Sequence, residues 1–198
     1  MEEKTIGQNP TEQAPQEEGG GWGAEAFEFF KVLIVAVAVA LPIRYFIAQP
    51  FIVNGASMDP TFEDGQYLII DEASYYFFRA PERGEVVVFR YPLQPKQFFI
   101  KRVIGLPNER VEIRNGEVWI KNDEQPNGFV LPEPYLPEGL RTNGDTEVKL
   151  SDKEYFVMGD NREFSSDSRR WGTLDRRFIT GRALIRAWPL SKIGVVSD

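Results

Sequence analysis

The chain contains no histidine and no cysteine among its 198 residues. These absences exclude disulfides, thiolate metal sites and a cysteine nucleophile, and they remove the usual ligands of a catalytic zinc. They also leave no imidazole to act as a general base, although they identify no compartment. An excess of positive charge is missing too: 23 Lys and Arg face 30 Asp and Glu, a formal net charge of -7. Residues 1–30 hold seven Glu against one Lys, so the remainder is nearly neutral. No basic stripe is available for a phosphate backbone, and nucleic acid is set aside as a partner. A phosphate loop, a dinucleotide fingerprint, a calcium loop and internal repeats are likewise missing, so no cofactor and no metal is expected. The length suits one main body with a small appendage.

One unbroken apolar run stands out, from Val32 to Ile43. As a helix its twelve residues would reach only about 18 Å, short of the roughly 30 Å hydrocarbon core. If Lys31 snorkels and the segment extends over 27–48, through Arg44-Tyr45-Phe46-Ile47-Ala48, it reaches roughly 33 Å with aromatic residues at both ends. The preferred reading is a transmembrane anchor over 27–48, preceded by a disordered acidic tail over 1–26 that is rich in Glu, Gln, Pro and Gly. Two other readings stay open. Ala38-Val39-Ala40 has the small-x-small pattern of a cleaved signal peptide, but behind the wrong, acidic flank. A buried core helix would also accommodate so short a run. Lys31 and Arg44 nearly balance, so charge does not set an orientation.

Residues 49–198 read as a mainly β domain of antiparallel sheets. Tyr67–Ile70, Glu85–Phe89, Phe98–Ile104 and Tyr155–Met158 are rich in β-branched and aromatic residues. Val111–Ile120 predicts a hairpin turning at Asn115-Gly116 within a small extension over about 108–150. The Pro- and Gly-punctuated stretch from Asn122 to Thr146 reads as a surface excursion.

Without His or Cys, hydrolysis by a protein nucleophile would require a hydroxyl and a lysine made neutral by desolvation. Lys101 lies in an apolar strand, where period-two alternation puts it on one face with Phe99 and Val103. The bland alternative is an edge lysine that wards off aggregation. Ser57 sits in Ala56-Ser57-Met58-Asp59-Pro60, which by itself reads as a turn. Residues 159–169, Gly-Asp-Asn-Arg-Glu-Phe-Ser-Ser-Asp-Ser-Arg, combine turn residues with the pair Asp167 and Arg169. Each segment alone has an ordinary turn or strand reading, and the case for catalysis rests on what the three in order resemble.

Together with Arg83–Phe89, these segments resemble type I signal peptidases, the membrane-bound serine proteases that process exported proteins. The resemblance covers about residues 27–190. It implies that Ser57 attacks the scissile carbonyl, that Lys101 is general base and then general acid, and that Ser165 orients the lysine. Asp167 and Arg169 would form a supporting ion pair, while Gly159, Asp160, Asn161 and Arg162 shape the turn. Val53, Met58, Phe62, Phe99 and Ile100 would line shallow pockets that select Ala-x-Ala sites. The implied partners are signal-peptide-bearing precursors and membrane lipid, with the body on the side of a plasma or thylakoid membrane that receives exported proteins. Two departures are visible: Gly55 stands where some members place a second hydroxyl for the oxyanion, and Asn108-Glu109 replaces a common Gly-Asp. The rivals are a LexA-like self-cleaving serine-lysine protease, which shares the expected fold, and a membrane-tethered β domain without catalysis.

Overall fold

The structure, a computed structural model, describes residues 22–42 and 49–196. The chain forms two compact units, Met1–Ala40 and Leu41–Asp198. The first contains helix α1, Trp22–Pro42. This helix begins inside the stretch read as tail; residues 1–21 of that tail and 43–48 of the expected anchor lie outside the described residues. Val32 to Val39 contributes apolar side chains that are exposed on all sides of α1. Its N-terminal half also carries Glu25, Glu28 and Lys31, and among the described residues no helix is long and apolar enough to cross a membrane.

The second unit is built from antiparallel strands, in keeping with the mainly β reading. Strands β1 (Gln49–Ile52), β2 (Tyr67–Asp71), β3 (Val86–Arg90), β4 (Phe98–Gly105), β9 (Glu154–Met158), β10 (Leu174–Asp175), β11 (Ile179–Trp188) and β12 (Gly194–Val195) form one sheet. Its order is β1-β2-β11-β3-β4-β9-β10, with β12 pairing β11. Strands β5 (Arg110–Arg114), β6 (Glu117–Lys121), β7 (Phe129–Val130) and β8 (Thr146–Lys149) form the second, in the order β7-β6-β5-β8. Two short helices, α2 (Ala73–Phe77) and α3 (Ser168–Trp171), complete the elements used below. The β5–β6 turn is the expected one: Asn115 and Gly116 both have positive φ, 53° and 81°, as a primed two-residue turn demands.

Strand β11 escaped the sequence reading because Thr180, Gly181, Arg182 and Arg186 interrupt its apolar pattern. It nevertheless lies between β2 and β3, and a Cβ at Gly181 would come within 2.6 Å of Asp71 O, so glycine permits the close approach. The stretch from Asn122 to Thr146 is more than a surface excursion. Leu131 and Thr142 are buried, and β7 pairs with β6. Its prolines set the turns, while these anchors return the chain to the second sheet.

Strand β4 meets three apolar clusters, through Ile100, Val103 and Ile104 respectively. Each such side chain stabilises the fold by about 1.5–3 kcal/mol when fully buried, so the strand's register is firmly held. At the junction with the second sheet, Asn108 adopts φ 67°, and buried Glu109 accepts from Leu106 N (2.8 Å), Arg83 Nη2 (2.6 Å) and Asn122 Nδ2 (3.0 Å). The Asn-Glu departure thus preserves both the positive φ and the anionic acceptor.

Candidate active site

Ser57 lies on a tight turn after β1, where Asp59 N–H donates to Ala56 O (3.2 Å) and Phe62 N–H to Met58 O (2.9 Å). Gly55 enters the turn with φ 84° and donates its N–H to Asp64 Oδ1 at 2.6 Å. Lys101, in the middle of β4, faces Val87 of β3 across the sheet. Its Nζ lies 2.7 Å from Ser57 Oγ and donates to Ile100 O, also at 2.7 Å. Only 3% of the lysine is exposed. Burial lowers its pKa to about 8, against the opposing pull of the Asp167 and Asp160 carboxylates. The Phe99 ring, 5.5 Å from Nζ, completes an apolar wall.

The 159–169 segment packs against the serine turn. Asn161 N–H donates to Ser57 O (3.2 Å), and Asn161 Nδ2 donates to Ala56 O (3.0 Å). A Cβ at Gly159 would overlap both Ser57 O and Ser165 Oγ, which explains glycine there. Asp167 caps α3 and binds Arg169 through Nε (2.8 Å) and Nη2 (2.7 Å). Burial alone would raise its pKa, but the Arg169 guanidinium and the Gly159 N–H hold it below the ordinary carboxylate value.

Two residues sit differently from the expectation. Ser165 is buried beside the dyad, but its Oγ has no hydrogen-bond partner among the described residues, and Lys101 Nζ instead donates to Ile100 O. The lysine thus places one of its N–H groups on the carbonyl of the preceding residue. Asp160 does more than shape a turn: it takes a two-pronged contact from Arg102, Nε at 2.9 Å and Nη2 at 2.7 Å, and a third bond from Thr61 Oγ1 at 2.6 Å. Both ions are fully buried, so neither tolerates losing the other. Arg162 is also buried, donating Nε to Gly159 O (3.1 Å) and its guanidinium to Glu133 and Thr142. Sequence reasoning missed Thr61, Arg102, Glu133 and Thr142. A cue existed only for Arg102, a charge beside Lys101 pointing to the other face of an apolar strand.

A groove of about 330 Å³ opens over the dyad, walled by the 54–57 turn, by Phe98, Phe99 and Ile100 of β4, and by Phe51, Phe164 and Ser166. Phe99 and Ile100 therefore line it. Val53, Met58 and Phe62 do not reach this wall: they lie in the apolar cluster shared with Ile100, at most 1% exposed.

The profile of "Signal peptidase, peptidase S26" matches residues 26–188. The chain is 39% identical over 178 residues to probable signal peptidase I-2 of Synechocystis, covering 86% of this chain and 77% of that protein. It is 41% identical over 174 residues to probable signal peptidase I-1 of the same organism, covering 84% and 85% respectively. Signal peptidase I of Bacillus licheniformis is 36% identical over 177 residues, covering 84% and 91%. With the serine and the buried lysine in contact, and with relatives matched along 77–91% of their length, the chain belongs to the signal peptidase family, peptidase S26.

Proposed function

We propose that this chain removes signal peptides from exported precursor proteins, cutting after small-x-small sites such as Ala-x-Ala with Ser57 as nucleophile and Lys101 as general base. The observation that carries the reading is the 2.7 Å approach of Nζ to Oγ by a lysine whose pKa burial lowers to about 8. In the neutral amine the hydrogen bond reverses, and Ser57 O–H donates to the lone pair on Nζ. As Oγ bonds to the scissile carbonyl carbon, Lys101 takes the proton, and the oxyanion forms opposite the Ser57 N–H. The ammonium then protonates the leaving nitrogen as the C–N bond breaks. Water, deprotonated by the same amine, releases the acyl group and restores Ser57. Phe99 and Ile100 would touch the small substrate side chains, with Val53, Met58 and Phe62 backing that wall.

We also assign residues 27–48 as the anchor that keeps the body at a membrane. An uncharged apolar run exposed on all sides of α1 favours lipid contact over a half-buried surface helix. The experiment is incubation of the full chain, purified in detergent, with a precursor bearing an Ala-x-Ala site, followed by sequencing of the new N-terminus. The expected cut follows the second Ala. No cleavage, or equal cleavage by Ser57→Ala, would overturn the reading.

A further inference from the structure

The segment from Leu131 to Thr142 leaves the second sheet and returns to it, tied at one end by Leu131 N–H to Val118 O (2.8 Å) and at the other by Thr142 N–H to Gly116 O (2.9 Å). Between these ties Pro132, Pro134 and Pro137 restrict the backbone. The segment forms a strap over the back of the catalytic corner. Glu133 accepts from both terminal nitrogens of Arg162, Oε2 from Nη1 at 3.1 Å and Oε1 from Nη2, and Thr142 Oγ1 also accepts from Nη1. Tyr135 donates its hydroxyl to Glu133 Oε1 at 2.9 Å and lays its ring over Arg102, with 3.8 Å between Cζ and the ring centroid. Arg102 is also fixed by Gly84 O, which accepts from Nη1 at 2.7 Å.

We propose that Glu133 and Tyr135 are positioning residues of the Ser57–Lys101 dyad, acting through Arg162 and Arg102 on the backbone that braces the serine turn and on the carboxylate beside the lysine. The proposal rests on the serine-lysine reading of the site. A strap needed only as cover would be apolar. This one instead carries a carboxylate to a guanidinium that is 3% exposed, a contact that costs desolvation of both ions unless their geometry is held. Each contact leads inward. Arg162 Nε grips Gly159 O, and the next residues bond Ser57 O and Thr61; Arg102 grips Asp160 directly.

The charges around Lys101 make this role measurable. Asp160 and Asp167 are the carboxylates it feels, Arg102 and Arg169 are the cations bound to them, Arg162 is paired with Glu133, and β3 presents uncharged Val87 opposite. Glu133→Gln leaves Arg162 without its carboxylate, makes these surroundings more positive and favours the neutral amine. The acid limb of the pH profile should therefore move to lower pH, a change that simple loosening of the strap would not produce.

The experiment compares the full chain in detergent with Glu133→Gln and Tyr135→Leu, after circular dichroism has checked folding, on a precursor with an Ala-x-Ala site. Misplacing the dyad should lower kcat by about tenfold in Glu133→Gln and several-fold in Tyr135→Leu, with KM within about twofold because the groove is untouched. A folded Glu133→Gln with wild-type kcat and an unmoved acid limb, having lost only melting temperature, would overturn the proposal. If Glu133→Gln does not fold, wild-type kcat in folded Tyr135→Leu overturns it equally. A wild-type chain that fails to cleave would remove the serine-lysine reading and this proposal with it, whereas indifferent variants of an active wild type remove this proposal alone.

Discussion

Replacing Lys101 separates the lysine's chemistry from its contribution to the fold. Its pKa, lowered from 10.5 to about 8, raises the neutral fraction at pH 7 from about one in three thousand to about one in ten, a gain of roughly 300-fold. Activity should therefore rise with pH along a limb with an apparent pKa of about 8, so that at pH 6 kcat/KM is about one hundredth of its plateau. Lys101→Arg should be as inactive as Lys101→Met, because a guanidinium keeps its proton at any working pH. Stability should move the other way. Below the folded-state pKa the amine is charged both folded and unfolded, and the fold bears the full burial cost, roughly 3 kcal/mol. Methionine removes that cost while losing two hydrogen bonds worth about 1 kcal/mol each, leaving Lys101→Met more stable at pH 7 by about 1 kcal/mol. Between pH 8 and 10.5 the folded wild type sheds its proton before the unfolded chain does, so its stability recovers and the advantage of methionine should disappear. The assays are single-turnover cleavage from pH 6 to 9 and denaturant unfolding at pH 7 and pH 10. Turnover by Lys101→Arg, or a rate independent of pH across that window, would refute the lysine-base mechanism.

Ser57→Ala should keep its melting temperature and lose cleavage, because one hydroxyl adds little to packing; a folded, active variant would end the nucleophile assignment. Asp160→Asn strands the fully buried Arg102 beside a neutral partner and should lose about 3–5 kcal/mol by denaturant unfolding, whereas a loss under 1 kcal/mol would show that the pair is dispensable. Gly159→Ala must displace both Ser57 O and Ser165 Oγ, so kcat should fall by at least about tenfold, and wild-type kcat would mean the corner is softer than its contacts imply. The full chain should stay with membranes through alkaline carbonate, and its release would remove the anchor over 27–48.

The apolar strands and the Asn-Gly hairpin were legible in the sequence because their signals are local. Period-two patterning and two residues tolerant of positive φ suffice to predict β4 and the β5–β6 turn. Strand β11 was not legible, since its charged and small residues are justified only by neighbours distant in sequence, such as Asp71 against Gly181. The site divides along the same line. Ser57, Lys101 and the 159–169 segment stand out only together, through the family that their combination resembles, since each alone reads as a turn or an edge strand. The partners of Asp160 and Arg162 come instead from β4, the serine turn and a proline-rich stretch that composition marks only as loop. Ser165 marks a further limit: its position was legible, but the use of its hydroxyl was not.

On the proposed mechanism, the charge arrangement accounts for a lysine that is partly neutral near pH 7 in a chain without imidazole. Among the described residues Lys101 has no carboxylate in contact; its Nζ meets a hydroxyl and a carbonyl. The two acids nearest to it are already committed, Asp160 to Arg102 and Asp167 to Arg169, each through two nitrogens of the guanidinium. A free aspartate at either position would favour the ammonium and return the lysine toward its ordinary value. Paired, each acid approaches the amine as part of a dipole of no net charge, and burial dominates the balance. On the proposed mechanism the buried ion pairs therefore serve the lysine as well as the fold: they hold the 159–169 segment, whose Asn161 donates to Ser57 O and Ala56 O, without placing a carboxylate in contact with the amine.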